Sequence, residues 1–188
     1  MGSLDIITGS PGSGKTTLAS RLASSSPRGV HVNADIFYTF VAHPIKPTLP
    51  ASHEQNTAVI RAVTRAAIAF ASSGYDVYLD GIFGPWFLPV IAKELDGFNQ
   101  PVAYTILRIN LEEAIQRTRA REANFDEVIV RQMHAAFDNL GEYERLVLTI
   151  DSFKPEEVQA EFLRHRAQRL LDLQRIAKVD MIRTAPPQ

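Results

Sequence analysis

The stretch "GSPGSGKTTL" at residues 9–18 follows a short β-like run from Leu4 to Thr8. Ten residues that include three glycines, a proline and one lysine cannot pack a core, so they hold something else. Gly9, Gly14, Lys15 and Thr16 satisfy the spacing G-x-x-x-x-G-K-[ST], with Pro11, Gly12 and Ser13 inside it and Thr17 just beyond. In such a loop the glycines let backbone N–H groups close on a phosphate chain, and the helix that follows presents its positive end. Lys15 is placed to reach the β- and γ-phosphates, and the Thr16 hydroxyl is a hard oxygen suited to magnesium. The expected cofactors are therefore ATP and Mg2+. The motif carries weight because a strand pattern precedes it and a helix pattern follows.

Outward from this loop, four more β-like runs recur: Gly29 to Asn33, Asp76 to Asp80, Val102 to Ile109 and Leu146 to Ile150. Between them, 15–24, 53–73, 111–122 and 127–140 carry apolar residues at helical spacing. Strands alternating with helices predict an α/β fold with five parallel strands and helices on both faces. Ligands of such sheets sit at the carboxyl ends of the strands. Pro44, Pro47 and Pro50 mark an irregular insert after the second strand. The spacing also predicts one long amphipathic helix over about 155–183, opened by Pro155. Its apolar side, with Val158, Phe162, Leu170, Leu173 and Ile176, can pack on the sheet or on a second subunit as a homodimer contact.

With 188 residues, 45% of them hydrophobic, the chain suits a single domain over 1–188. The formal charge of −1 and the lack of a basic run argue against a general grip on nucleic acid. No apolar run approaches the roughly 20 residues of a membrane span, and no export signal opens the chain. The absence of cysteine excludes disulfides and thiolate metal sites and fits a cytoplasmic protein.

Two carboxylates stand at strand ends: Asp35 after the second strand and Asp80 at the end of the third. Phosphoryl transfer uses one carboxylate to accept a proton and another to position metal. Asp35 suits the first task and Asp80 the second, with the reverse assignment open; a helix cap for Asp35 and a plain turn for Asp80 are the structural alternatives. Arg117 and Arg121, four residues apart, share a helix face and can clamp phosphates, while Arg119 points elsewhere. Pairing with Glu112, Glu113 and Glu122 is the simpler account. A lid over about 117–131, ending at Arg131, is expected. The aromatic loop from Gly81 to Phe87, including Trp86, either walls an acceptor pocket or packs under the next helix. The polar group Ser52 to Asn56 either reads acceptor hydroxyls or caps a helix, with Ser52 bonding backward. His31, His43, His134 and His165 show no metal spacing and receive no role.

"GSPGSGKTT", "VNADIFY", "YDVYLDG" and "QRTRAREANFDEVIVRQM", in this order, resemble the small P-loop kinases of the group containing polynucleotide kinase, gluconate kinase, chloramphenicol phosphotransferase and zeta-toxin kinases. The resemblance spans Leu4 to Ile150 and implies a P-loop NTPase fold with a small helical lid. It also implies Asp35 as general base and Arg117 and Arg121 as lid arginines. Tyr38 stands where kinases of polynucleotide ends carry an arginine, which counts against such an acceptor, and the histidine-rich lid of gluconate kinases is missing. The leading expectation is an ATP-dependent phosphotransferase acting on a hydroxyl of a small molecule, a metabolite or an antibiotic. A nucleotide-dependent switch or ATPase acting on a protein partner is the alternative, and a nucleic-acid end kinase the second. The absence of Asn-Lys-x-Asp counts against a GTPase.

Overall fold

The computed structural model describes residues 2–123 and 125–170. Five strands form one parallel sheet in the order β2-β3-β1-β4-β5. These are β1 (Ser3–Gly9), β2 (Gly29–Asn33), β3 (Asp76–Asp80), β4 (Val102–Arg108) and β5 (Val147–Thr149). Alternation along the strands supplies two cores. Leu4 and Ile6 of β1, Val77 and Leu79 of β3, and Tyr104 and Ile106 of β4 belong to one. Ile7, Tyr78 and Leu107 belong to the other. The first face is covered by α3 (His53–Ser72) and α4 (Leu88–Glu94), whose Ile60, Val63, Ala67, Leu88 and Ile91 fall at helical spacing. The second is covered by α1 (Lys15–Ser25), α5 (Leu111–Arg121) and α7 (Pro155–His165), through Leu18, Leu22, Ala114, Val158 and Phe162. Each fully buried large apolar side chain of this kind contributes about 1.5–3 kcal/mol.

The register aligns the strand ends. Asn33 of β2 pairs with Asp80 of β3, which pairs with Ile7 of β1. The segments leaving these strands, toward Asp35, Gly81 and the glycine loop, therefore emerge side by side at one end of the sheet.

Three stretches depart from the periodicity reading. The long C-terminal helix is replaced: α7 stops at His165, a 3-10 turn covers Arg166–Arg169, and Leu170 pairs antiparallel with Ala103. The physical cause is Arg166, whose Nε donates at 2.6 Å to buried Asp5 on β1 and pulls the chain across the sheet. The rest of the predicted helix, including Leu173 and Ile176, lies outside the described residues. α6 (Glu127–Ala135) also ends early, before a 3-10 turn over Gly141–Leu146. Two short helices lie outside the spans that helical spacing marks: α2 (Ala34–Tyr38), too short for a periodic signal, and α4, which Pro85 and Pro89 disguise. No helix among the described residues is long and apolar enough to cross a membrane.

Candidate active site

The loop from Gly9 to Lys15 joins β1 to α1. Gly12 has φ 77° and Gly14 φ 84°, both left-handed, so only glycine is unstrained there. A Cβ on Gly12 would stand 2.5 Å from the Ala114 carbonyl oxygen, which shows how closely the loop leans on α5. Gly14 occupies the cap position of α1 without any side-chain cap, so the first N–H groups of the helix face the loop's concavity. The Ser13 hydroxyl is buried and has no hydrogen-bond partner among the described residues. A bare N-terminus, a glycine cradle and an orphaned hydroxyl fit a phosphate chain. Lys15 Nζ donates to the Ser10 carbonyl at 2.9 Å. Burial pushes the Lys15 ammonium down to about 8, against the pull of Asp80 and Asp35; Arg121 adds to the fall.

Asn33 caps α2, its Oδ1 accepting from the Asp35 N–H at 2.8 Å. The capping task is thus Asn33's, and the Asp35 carboxylate makes no hydrogen bond among the described residues. Asp35 is exposed as a residue, but burial of its carboxyl on the protein side raises it above the usual range; Lys15 opposes that rise and Asp80 adds to it. These neighbours place Asp35 in one electrostatic group with Lys15, Asp80 and Arg121. Asp80 is 2% exposed. Its Oδ2 accepts from Thr16 Oγ1 at 2.6 Å, and its Oδ1 lies 2.5 Å from His31 Nε2. Two hard oxygens so close beside the phosphate loop fit Mg2+. Among the described residues no cluster of three or more His, Cys, Asp or Glu could hold a metal, so such an ion would depend on phosphate oxygens as well.

A cleft of about 390 Å³ is lined in part by the same loop. Gly14, Thr17, Arg117, Arg121, Phe153 and Pro155 are among its lining residues. Arg117 and Arg121 thus share one wall, as their spacing predicts, and each also has an acidic partner: Glu113 for Arg117, and Glu122 at 2.7 Å for Arg121. Arg119 turns away to Glu127 at 2.9 Å and stacks over Phe125. Arg131 also binds Glu127, at 2.8 Å.

Sequence reasoning missed the wall after β5, where Phe153 and Pro155 stand. A short loop with one aromatic gives no signal until the sheet order brings it beside α5. It also missed His31, whose side chain meets Asp80 only once β2 and β3 are paired in register. Three of the polar residues at the start of α3, Ser52, Gln55 and Asn56, brace the insert. Ser52 Oγ donates back to the carbonyls of Pro47 and Leu49, and Gln55 binds both backbone groups of Ile45. In the aromatic loop, Phe83 is buried against Ala34, while Trp86 stays half exposed, 5.5 Å from the Phe137 ring.

A parallel five-stranded sheet whose first strand feeds a glycine cradle and a bare helix N-terminus defines an α/β P-loop NTPase. The chain belongs to the AAA domain family, whose model matches residues 4–140. The fold is that of small P-loop kinases. A sugar kinase from Janibacter sp. HTCC2649 is similar at TM-score 0.68 and 19% identity, over 87% of this chain and 94% of that one. A gluconokinase from Sinorhizobium meliloti 1021 is similar at TM-score 0.58 and 13% identity, over 97% and 98%. A chain of the Pnkp1/Rnl/Hen1 RNA repair complex is similar at TM-score 0.59 and 19% identity, over 77% of this chain and 46% of that one. No protein of curated function matches the sequence.

Proposed function

We propose that the protein is an ATP-dependent phosphotransferase that moves the γ-phosphoryl group to a hydroxyl of a small molecule. The observation that carries this reading is the electrostatic group formed by Lys15, Asp35, Asp80 and Arg121 beside a phosphate-shaped loop. A switch would need the loop and a metal carboxylate; it would not need a second carboxylate, free of hydrogen bonds and raised in pKa, in the same field.

The triphosphate lies along Gly9 to Thr17, with Lys15 on the β- and γ-oxygens, and the nucleoside enters the cleft between Arg117, Arg121 and Phe153. Thr16 and Asp80 hold Mg2+, which neutralises charge on the phosphates when bound. The acceptor oxygen attacks the γ-phosphorus in line as the bond to the β,γ-bridging oxygen breaks, and ADP leaves. Asp35 takes the hydroxyl proton, a task for which a carboxyl above its usual range is suited. Lys15 and Arg121 stabilise the charge that spreads over the transferring group. The acceptor enters beside α2, where Tyr38, its phenol raised to about 12 by burial and by Asp35, stands in place of a cation. That environment favours an uncharged acceptor over a phosphorylated one.

The test is a panel of neutral alcohols, sugar acids and 5′-hydroxyl oligonucleotides with Mg-ATP, reading ADP release and the mass of each product. At least one small alcohol gains a phosphoryl group, and Asp35→Asn lowers that transfer by about 100-fold or more while ATP affinity holds. Full turnover by Asp35→Asn removes the base from the scheme. Hydrolysis stimulated only by a protein partner, with no product phosphorylated, removes the phosphotransferase.

A further inference from the structure

We infer that His31 is the positioning residue of the metal-binding carboxylate, an inference that rests on the Mg-nucleotide reading above. Asp80 ends β3 at the mouth of the site, and the terminal torsion of an aspartate is soft, so its carboxylate plane turns freely unless both oxygens are held. Here both are. Thr16 Oγ1 donates to Oδ2 at 2.6 Å, and His31 Nε2 meets Oδ1 at 2.5 Å.

The two contacts differ in kind. Thr16 is itself a proposed metal ligand, so its hydroxyl is shared with the ion. His31 lies two residues before the end of the edge strand β2, with Tyr78 as its register partner, and reaches along the sheet to Asp80. Its contact comes from the scaffold and stays when the ligand changes. The imidazole is also largely covered, its side chain 22% exposed beside an Asp80 side chain at 2%. A hydrogen bond between a ring nitrogen and a metal-bound carboxylate is the outer-shell arrangement that fixes a ligand's orientation.

His31 therefore sets how well Asp80 presents itself to Mg2+ without touching nucleotide or acceptor. The test measures a non-hydrolysable ATP analogue binding by calorimetry, in EDTA and across a magnesium titration, for His31→Leu, His31→Ala and His31→Gln. In His31→Leu and His31→Ala the half-saturating magnesium concentration rises about tenfold while affinity in EDTA stays within about twofold; in His31→Gln, whose amide N–H can reach Oδ1, most of the loss is recovered. Thermal melts report folding, and should His31→Ala not fold, the Leu and Gln variants carry the comparison. The inference is overturned if His31→Leu keeps the wild-type magnesium dependence, if EDTA affinity falls in step with it, or if Gln restores nothing. A wild-type protein whose nucleotide affinity ignores magnesium overturns the phosphotransferase reading and this inference together.

Discussion

Gly12 and Gly97 share a left-handed backbone, at φ 77° and 75°, but not their surroundings. A Cβ on Gly12 meets the Ala114 carbonyl oxygen and Thr118 Oγ1, whereas one on Gly97 meets nothing within 4 Å among the described residues. Gly97→Ala should therefore cost about 1 kcal/mol, from backbone strain alone, and leave nucleotide binding intact. Gly12→Ala must in addition push the loop off α5, so it should cost about 1–3 kcal/mol and abolish nucleotide binding. Urea denaturation and nucleotide titration of both variants check the contrast; equal effects on binding would show that the loop is not held by α5. At this scale the motif residues were legible because their spacing encodes a local geometry. Asp35 and Asp80 were legible as strand-end carboxylates. His31 and Phe153 were not, since each acquires its neighbours through strand pairing and sheet order, which one sequence does not print.

Among elements, the junction of β4 with the end of α6 rests on Arg108. Its Nε and Nη2 donate to the Phe137 carbonyl at 3.1 and 2.7 Å, and its Nη1 and Nη2 reach the two oxygens of Glu144 at 2.8 Å each. The Arg108 guanidinium and the Leu140 N–H draw the Glu144 carboxyl down to about 2, from an ordinary value of 4.5. A carboxyl lowered on folding adds stability that is present above about 4.5 and lost as the pH falls toward 2. Glu144→Gln should thus be less stable than wild type at neutral pH, by no more than about 1 kcal/mol because Glu144 is partly exposed. The two melting curves should converge at low pH; a gap that persists at pH 2 would place the effect elsewhere. The same segment shows where helical periodicity misleads. Residues 136–140 continue the apolar pattern of α6, but the Phe137 carbonyl is taken by Arg108 and the helix ends at Ala135.

Across the whole molecule, the sheet is tied to the chain beyond α7 by Asp5 of β1, 1% exposed, and Arg166. Burial raises the Asp5 carboxyl despite the arginine beside it. Arg166→Ala leaves a buried carboxylate unpaired and should cost about 3–5 kcal/mol, while Asp5→Leu with Arg166→Met should recover most of that loss. Chemical denaturation of the two variants checks the pair, and a double variant no better than the single would contradict it. This tie also explains why the predicted C-terminal helix ends at His165: an isolated apolar stripe reads as helix, and the buried partner that bends the chain lies 161 positions earlier.

The central claim is that the carboxylate that follows the second strand and the one that ends the third face the γ-phosphate of a nucleotide held by the glycine loop. A crystal structure with Mg2+ and the β,γ-imido analogue of ATP measures this directly. The account predicts Lys15 on the β- and γ-phosphate oxygens, Thr16 and Asp80 at the metal, the base beside Phe153, and Asp35 open to the γ-phosphate. An analogue bound away from the loop, or an Asp35 carboxylate turned from the γ-phosphate toward bulk solvent, would contradict it.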